Sequence, residues 1–373
     1  MAGPAGPAGH DMAANNLPAN NLAANNLAAN NLAAHDLSGG GDTLERIGAV
    51  ARRALAQYDP DPQARVELLT VSENATFAVR GSGLGPAVLR VHRLGYHRPA
   101  AIESELDWMT ALRVEAGIAT PPVVPASDGR RVVSVDDPAT GEVRHCVVFE
   151  MLLGAEPASD DGSRFEELGG LTARMHRHAR SWARPPGFTR LRWDLEAAFG
   201  PEPRWGPWRA GVGVGPAEAA ILGRLERTLQ SRLAAFGTGP QRFGLIHADT
   251  RLANLLVDDD RVSVIDFDDC GFGWYLYDLG TSFSFFEHEP HVPDLVRRWT
   301  DGYRRELDLP GVDEDEVWTF ILLRRLLLVA WIGSHPAVDV ARDLGAGYTA
   351  QSCDLAEWYL GRHPSPASMR ADS

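Results

Sequence analysis

Between residues 66 and 150 the apolar positions fall in short runs separated by Gly, Pro, Asn and Asp, the pattern of strands and turns. Runs at 66–71, 76–80 and 87–93 predict three consecutive strands, with a loop at 72–75 and a glycine-rich turn at 81–86. Runs at 132–135 and 143–150 predict two more. One helix interrupts them: Ile102, Leu106, Met109 and Leu112 recur at helical spacing across 100–114, before a Pro-rich connector at 117–125. Ahead of the strands, Asp42 or Thr43 caps a helix that runs to about Gln57. Beyond residue 150 the period becomes helical. Leu168, Leu171, Met175 and His178 mark a helix over 164–181, and 216–236 and 313–332 read as two more, the last apolar enough for a core. Residues 182–208, with Trp182, Trp193, Trp205 and Trp208 among Pro, Gly and Arg, are too irregular for one helix and predict a lid or cleft-lining insertion. Strands first and helices after predict an α+β fold.

The two ends of the chain break this pattern. In residues 1–41 the unit Ala-Ala-Asn-Asn-Leu repeats with a period of five, which sets leucines around a helix without forming a stripe. A pentapeptide β-helix would need more turns and smaller inward residues, so the segment predicts a disordered tail. Residues 362–373 predict a frayed end.

The chain has 373 residues and 44% hydrophobic content, enough for two cores. Its formal net charge of −14 argues against a nucleic-acid or anionic-membrane partner. Cys146, Cys270 and Cys353 are odd in number and form no CxxC pair, which predicts a reducing, cytoplasmic setting without a disulfide framework or zinc site. No uninterrupted apolar run approaches about 20 residues, so no membrane span is expected.

The chemistry concentrates at 245–269. An apolar run ending at Ile246 feeds the polar loop His247-Ala248-Asp249-Thr250-Arg251-Leu252-Ala253-Asn254. A short strand over 255–257, a tight turn at Asp258-Asp259-Asp260 and a return strand over 262–265 deliver Asp266. Asp249, Asn254 and Asp266 can therefore meet, and two carboxylates with an amide oxygen suit Mg²⁺.

The spacing H-x-D-x-x-x-x-N, followed by Ile265-Asp266-Phe267-Asp268, matches the catalytic loop and metal-binding segment of kinase-like phosphotransferases. With Cys270-Gly271-Phe272-Gly273 and Leu276-Tyr277-Asp278-Leu279, the stretch resembles the aminoglycoside phosphotransferase and choline kinase family. The resemblance implies a bilobal protein-kinase-like fold, with an N-lobe of antiparallel sheet plus helix over 42–150 and a mainly helical C-lobe over 151–361. It implies a kinase that transfers the γ-phosphoryl group of ATP, with GTP as a possible donor, to a hydroxyl of a small molecule: an amino alcohol, an aminoglycoside or a homoserine-like compound. Asp249 would be the catalytic base, and Asn254 and Asp266 would hold Mg²⁺. His247 would shape the loop, and Asp278 would tie it to a C-lobe helix.

In the N-lobe the resemblance puts Ser72, Asn74 and Thr76 over the nucleotide phosphates, and Arg90 where the family's wider pattern has a lysine. Arginine keeps the charge and can grip phosphate with two hydrogen bonds. Glu105, with Glu103 as runner-up, would pair with Arg90, and the backbone from Glu150 to Leu152 would meet the adenine edge. The glycines at 81–85 lie between two strands with no helix after them, so they predict a hairpin turn and not a phosphate loop. Asp268 and Asp269 beside Trp274 and Tyr275 combine acid and aromatic surface, which suits an ammonium-bearing acceptor. A protein Ser/Thr kinase is the first alternative, opposed by the lack of an Ala-Pro-Glu segment; a non-catalytic nucleotide-binding module is the second.

Overall fold

The structure is a computed structural model that describes residues 41–363 except 72, 73, 138, 159, 160, 260, 337 and 338. The expectations for the repeat tail, for the final ten residues and for Ser72 lie outside the described residues.

The chain opens with helix α1 (Gly41–Tyr58), then strands β1 (Arg65–Val71), β2 (Ala75–Arg80) and β3 (Ala87–Val91). Helix α2 (Pro99–Glu115) precedes β4 (Val123–Val124), β5 (Val133–Asp136) and β6 (Val143–Glu150). These strands form one antiparallel sheet in the order β1-β2-β3-β6-β4, with β5 also paired to β6. The strand period of two divides its faces. Phe77, Val79, Leu89, Val91 and Val148 pack against Val50, Ala54 and Leu55 of α1 in a small core. Thr76, Arg90 and Val147 sit in register on the other face. There Val147 and Phe149 meet Ile102, Leu106 and Met109 of α2, in a core that continues into the helical half. Gly81 and Gly85 take positive φ (63° and 75°) in the turn between β2 and β3, as the sequence suggested.

The helical half runs α3 (Gly162–Ser181), β7 (Leu191–Trp193), α4 (Leu195–Phe199), α5 (Pro216–Phe236), β8 (Phe243–Ile246), β9 (Leu255–Asp258), β10 (Arg261–Val264), β11 (Gly271–Trp274), α6 (Tyr275–Ser282), α7 (Val292–Glu306), α8 (Gly311–Glu314), α9 (Val317–Ser334) and α10 (Asp339–Arg362). Helices α3 and α7 cross closely because Gly169 and Gly302 let each backbone touch the other. Residues 311–334 are long and apolar enough to cross a membrane by composition, but 83% of that window is buried inside the protein.

One expectation needs correction. Residues 182–208 are not a free lid: β7 pairs in parallel with β11, and Trp193, Trp205 and Trp208 are buried. Indole side chains at this density stabilise most when packed, and strand pairing fixes the segment to the floor of the site.

Candidate active site

Strand β8 carries the chain into the loop at 247–254, and α6 holds that loop from below. Asp278 accepts hydrogen bonds from the backbone N–H of His247 (3.0 Å) and of Ala248 (2.6 Å), and His176 Nε2 lies 3.0 Å from the same carboxylate. Ala248 is in the left-handed region, φ 67°, a conformation that costs a non-glycine residue about 1 kcal/mol or more and that the Asp278 contact offsets. Thr250 Oγ1 donates to the Asp278 carbonyl at 2.6 Å. The His247 ring is used at both nitrogens, Nε2 donating to the Ile265 carbonyl (3.1 Å) and Nδ1 accepting from the Asp249 N–H (3.3 Å). It braces the loop and has no free nitrogen with which to act as a base.

Asp249 lies at the centre. Asn254 Nδ2 donates to its Oδ2 at 2.8 Å and to its carbonyl at 2.8 Å. Arg251 Nε reaches Oδ2 at 3.1 Å, and Arg324 Nη2 reaches Oδ1 at 2.8 Å. Burial pushes the Asp249 carboxyl up, but Arg251 and Arg324 outweigh it and hold it below the ordinary carboxylate range. Sequence reading missed Arg324. It lies on α9, 75 residues from Asp249, where a buried arginine in an apolar helix was the available signal. Tyr277 Oη (3.3 Å) and Ser284 Oγ (3.0 Å) accept from it, and it stacks 5.2 Å from the Trp205 ring.

Asp266 follows β10 and is also left-handed, φ 60°. This turn sends its carboxylate into the cleft, while Phe267 inserts under Trp108 of α2 (ring centroids 5.5 Å) and beside His247 (4.5 Å). Desolvation in the cleft, and then the negative charge of Asp268, push the Asp266 carboxyl up to about 7. Asn254 spends its amide nitrogen on Asp249, which leaves its Oδ1 as a donor atom for a metal. A hard divalent cation fits this oxygen set.

The N-lobe supplies positive charge. Arg90 Nη2 donates to Glu105 Oε1 at 2.6 Å, with Glu105 fully buried. Burial opposes the Arg90 charge, but Glu105, Asp268 and Asp266 more than offset that and raise its pKa. Glu103 instead pairs with Arg131, on the other side of the helix. All 36 basic side chains of the chain are arginine, so the strand-three cation follows the rule of the whole sequence.

Other candidates are placed differently. Thr76 faces the cleft beside Arg90. Asn74 is buried and its Oδ1 accepts from the Arg93 N–H at 3.0 Å, so it fixes the loop after β1 to the end of β3 and does not point at a phosphate. At the hinge the N–H of Glu150 is bonded to the Pro122 carbonyl and that of Met151 to the Pro86 carbonyl, both at 2.9 Å. The Glu150 carbonyl and the Leu152 N–H are the groups this leaves for an adenine edge.

The acceptor set is corrected most. Trp274 is in the C-lobe core, its Nε1 donating to the Gly237 carbonyl (2.8 Å), its ring against Phe243 and Phe320. Tyr275 packs against His176 and under Arg180, also away from Asp249. Both are on β11 or α6, whose apolar faces the helical core claims. Asp268 turns inward, 3.4 Å from His92 and 3.5 Å from His97. Burial keeps both imidazoles below their ordinary pKa, His97 at about 4. Asp269 is half-buried, its Oδ1 accepting from Tyr96 at 2.5 Å, and its carboxyl is raised by burial.

A second residue missed from sequence joins these parts. Arg190, just before β7, donates to the carbonyls of Cys270 (2.7 Å), Phe267 (3.2 Å), Asp268 and, on α2, Ala101 (2.8 Å). One buried guanidinium thus fixes the Asp266–Asp269 turn against the helix that carries Glu105.

With this geometry in place, the relatives become interpretable. Residues 65–314 match the model of the APH phosphotransferase enzyme family. The chain belongs to that family. The protein is 49% identical to a microcompartment-associated aminopropanol kinase of known structure, over 84% of this chain and 98% of that one, with a TM-score of 0.79. It is 24% identical over 260 residues to amicoumacin kinase of Bacillus subtilis (strain 168), covering 65% of this chain and 72% of that protein. The structure of the amicoumacin kinase hAmiN with AMP-PNP, Ca²⁺ and Ami shares the fold (22% identity, TM-score 0.66, 85% and 95% coverage). The family member described here is therefore a small-molecule kinase with a hydroxyl acceptor and a kinase-like fold; the protein-kinase and non-catalytic readings are set aside.

Proposed function

We propose that this kinase transfers the γ-phosphoryl group of ATP to the hydroxyl of a small amino alcohol, with aminopropanol the first acceptor to test. The observation that carries the acceptor is the 49% identity to the aminopropanol kinase over nearly its whole length. Arg90, held by Glu105, binds the nucleotide phosphates, with Thr76 at the same face of the sheet. Asn254 and Asp266 hold a divalent cation, Mg²⁺ in the cell, which when bound neutralises charge on the phosphates. Asp249, kept ionised by Arg251 and Arg324, accepts the hydrogen bond of the attacking hydroxyl. The acceptor oxygen bonds to the γ-phosphorus as the bridging bond to ADP breaks, and the hydroxyl proton passes to Asp249 or leaves late. A loose transition state asks little basicity of that carboxylate and much positioning, which agrees with a depressed pKa. Asp269 is the carboxylate that remains for the ammonium group.

The test is turnover of aminopropanol, ethanolamine and uncharged 1,2-propanediol with ATP or GTP and Mg²⁺, reading nucleoside diphosphate release and the phosphorylated product by mass. Phosphorylation of the amines but not the diol supports the reading. Turnover of the diol alone, or of no amine, overturns the acceptor.

A further inference from the structure

A second cavity lies behind the catalytic cleft. It has a volume of about 370 Å³, in the range of small-molecule sites. Ile118, Leu171 and Val262 lie at its base, all nearly covered. Its rim brings together Arg113 from the end of α2, Arg174 from α3 and Arg261 from β10. One acid, Glu167, shares the rim, and its carboxylate is already engaged by Arg164 at 2.7 Å. Asp258 lies across the hairpin from Arg261 without pairing with it. Among the described residues Arg113 makes only long contacts, 3.4 Å to Thr120 Oγ1 and to the Pro121 carbonyl. Among the described residues Arg174 and Arg261 form no ion pair. Three guanidinium groups from three elements thus converge on one hollow, in a chain of net charge −14 where acids are the commoner partner.

We propose that this cavity is a separate binding site for a small anion carrying carboxylate or phosphate groups. The three arginines suit such oxyanions. The position gives such a ligand a lever on the active site. Helix α2 carries Glu105, and β10 runs directly into Asp266. The connector that follows α2 is stitched to β10 beside the cavity by the Val264 N–H to Ala119 carbonyl bond at 2.8 Å. A ligand gripping Arg113 and Arg261 together favours one spacing of these elements and so changes nucleotide affinity, by the reciprocity of linked binding. This second clause rests on the nucleotide site proposed above; the binding itself does not.

The experiment uses the full-length protein with citrate and inorganic phosphate as probes, read by calorimetric titration and thermal shift. Expected is saturable citrate binding in the native protein and in Asp266→Ala, weakened roughly tenfold or more by Arg174→Ala or Arg261→Ala, as loss of a charge-assisted contact predicts. Both arginine variants are to keep the native thermal shift with Mg²⁺-ATP, which shows them folded. No saturable binding, or binding unchanged in the double arginine variant, overturns the proposal. Citrate binding that is kept in the double arginine variant and competed away by ATP also overturns it, because the anion then sits in the nucleotide site.

Discussion

At the scale of single residues, the site is a set of charges whose neighbours decide their state. Asp249→Asn is expected to lower turnover on the order of 10²-fold or more while nucleotide titrations stay unchanged, because the amide cannot accept the hydroxyl's proton and the metal ligands are untouched. Arg324→Lys tests positioning. A point charge cannot hold Ser284, Tyr277 and Asp249 at once, so kcat should fall roughly tenfold, and Arg324→Met further. With one arginine gone the Asp249 carboxyl rises, and the acidic limb of the kcat profile should move to higher pH. Asp266 gives a stability prediction of opposite sign. Its folded pKa of about 7 is above the unfolded value near 3.8, so its contribution is present at low pH and lost as pH rises through about 7. In EDTA, Asp266→Asn should therefore be more thermostable than the native protein at pH 8, with the advantage shrinking toward pH 5. A thermal melt series shows this directly, and Mg²⁺-nucleotide should restore the native protein but not the variant.

At the scale of elements, the catalytic loop is shaped less by its own residues than by α6 and β7. Asp278 accepts two backbone N–H groups and His176. Asp278→Ala leaves these buried donors without an acceptor, at about 1–3 kcal/mol each, so an unfolding free energy lowered by about 3 kcal/mol or more is expected from denaturant titration, with turnover falling as the left-handed Ala248 relaxes. The sequence announced Asp278 because it lies in the Tyr-Asp-Leu triplet next to the motif. It gave no notice of Arg190, whose four carbonyl partners are at 77 to 89 residues' distance and are backbone atoms. Backbone acceptors leave no trace in residue types. The same limit misplaced Trp274 and Tyr275: acid next to aromatic reads as an ammonium site in one dimension, and only helix packing says which way the rings face.

At the scale of the whole molecule, the two lobes share material. The small core between α1 and the sheet belongs to the N-lobe, but the larger one runs from Val147 and Phe149 through Leu106 and Trp108 to Phe267 and on into α9. Calorimetry of the ligand-free protein is expected to show one cooperative transition. Leu106→Ala should lower the unfolding free energy by about 2–5 kcal/mol, and two separated transitions would show that the lobes fold apart.

What the sequence determined by itself was local: the strand and helix periods, the turn at the glycines, and the spacing His247, Asp249, Asn254, Asp266 that announces phosphoryl transfer. These are set within a few residues, by side-chain alternation and by the reach of one loop and one hairpin. Glu105 as the Arg90 partner came from the family resemblance, with Glu103 as runner-up; helix geometry says only that one of the two faces the sheet, and the structure chose Glu105. The tertiary structure decided the rest. It brought Arg324 from α9 onto Asp249, turned Asp268 toward His92 and His97, and buried Trp193, Trp205 and Trp208 beside the site. Each of those outcomes depends on which apolar surfaces of distant elements cover one another, and burial against a distant partner has no local period for a sequence to display.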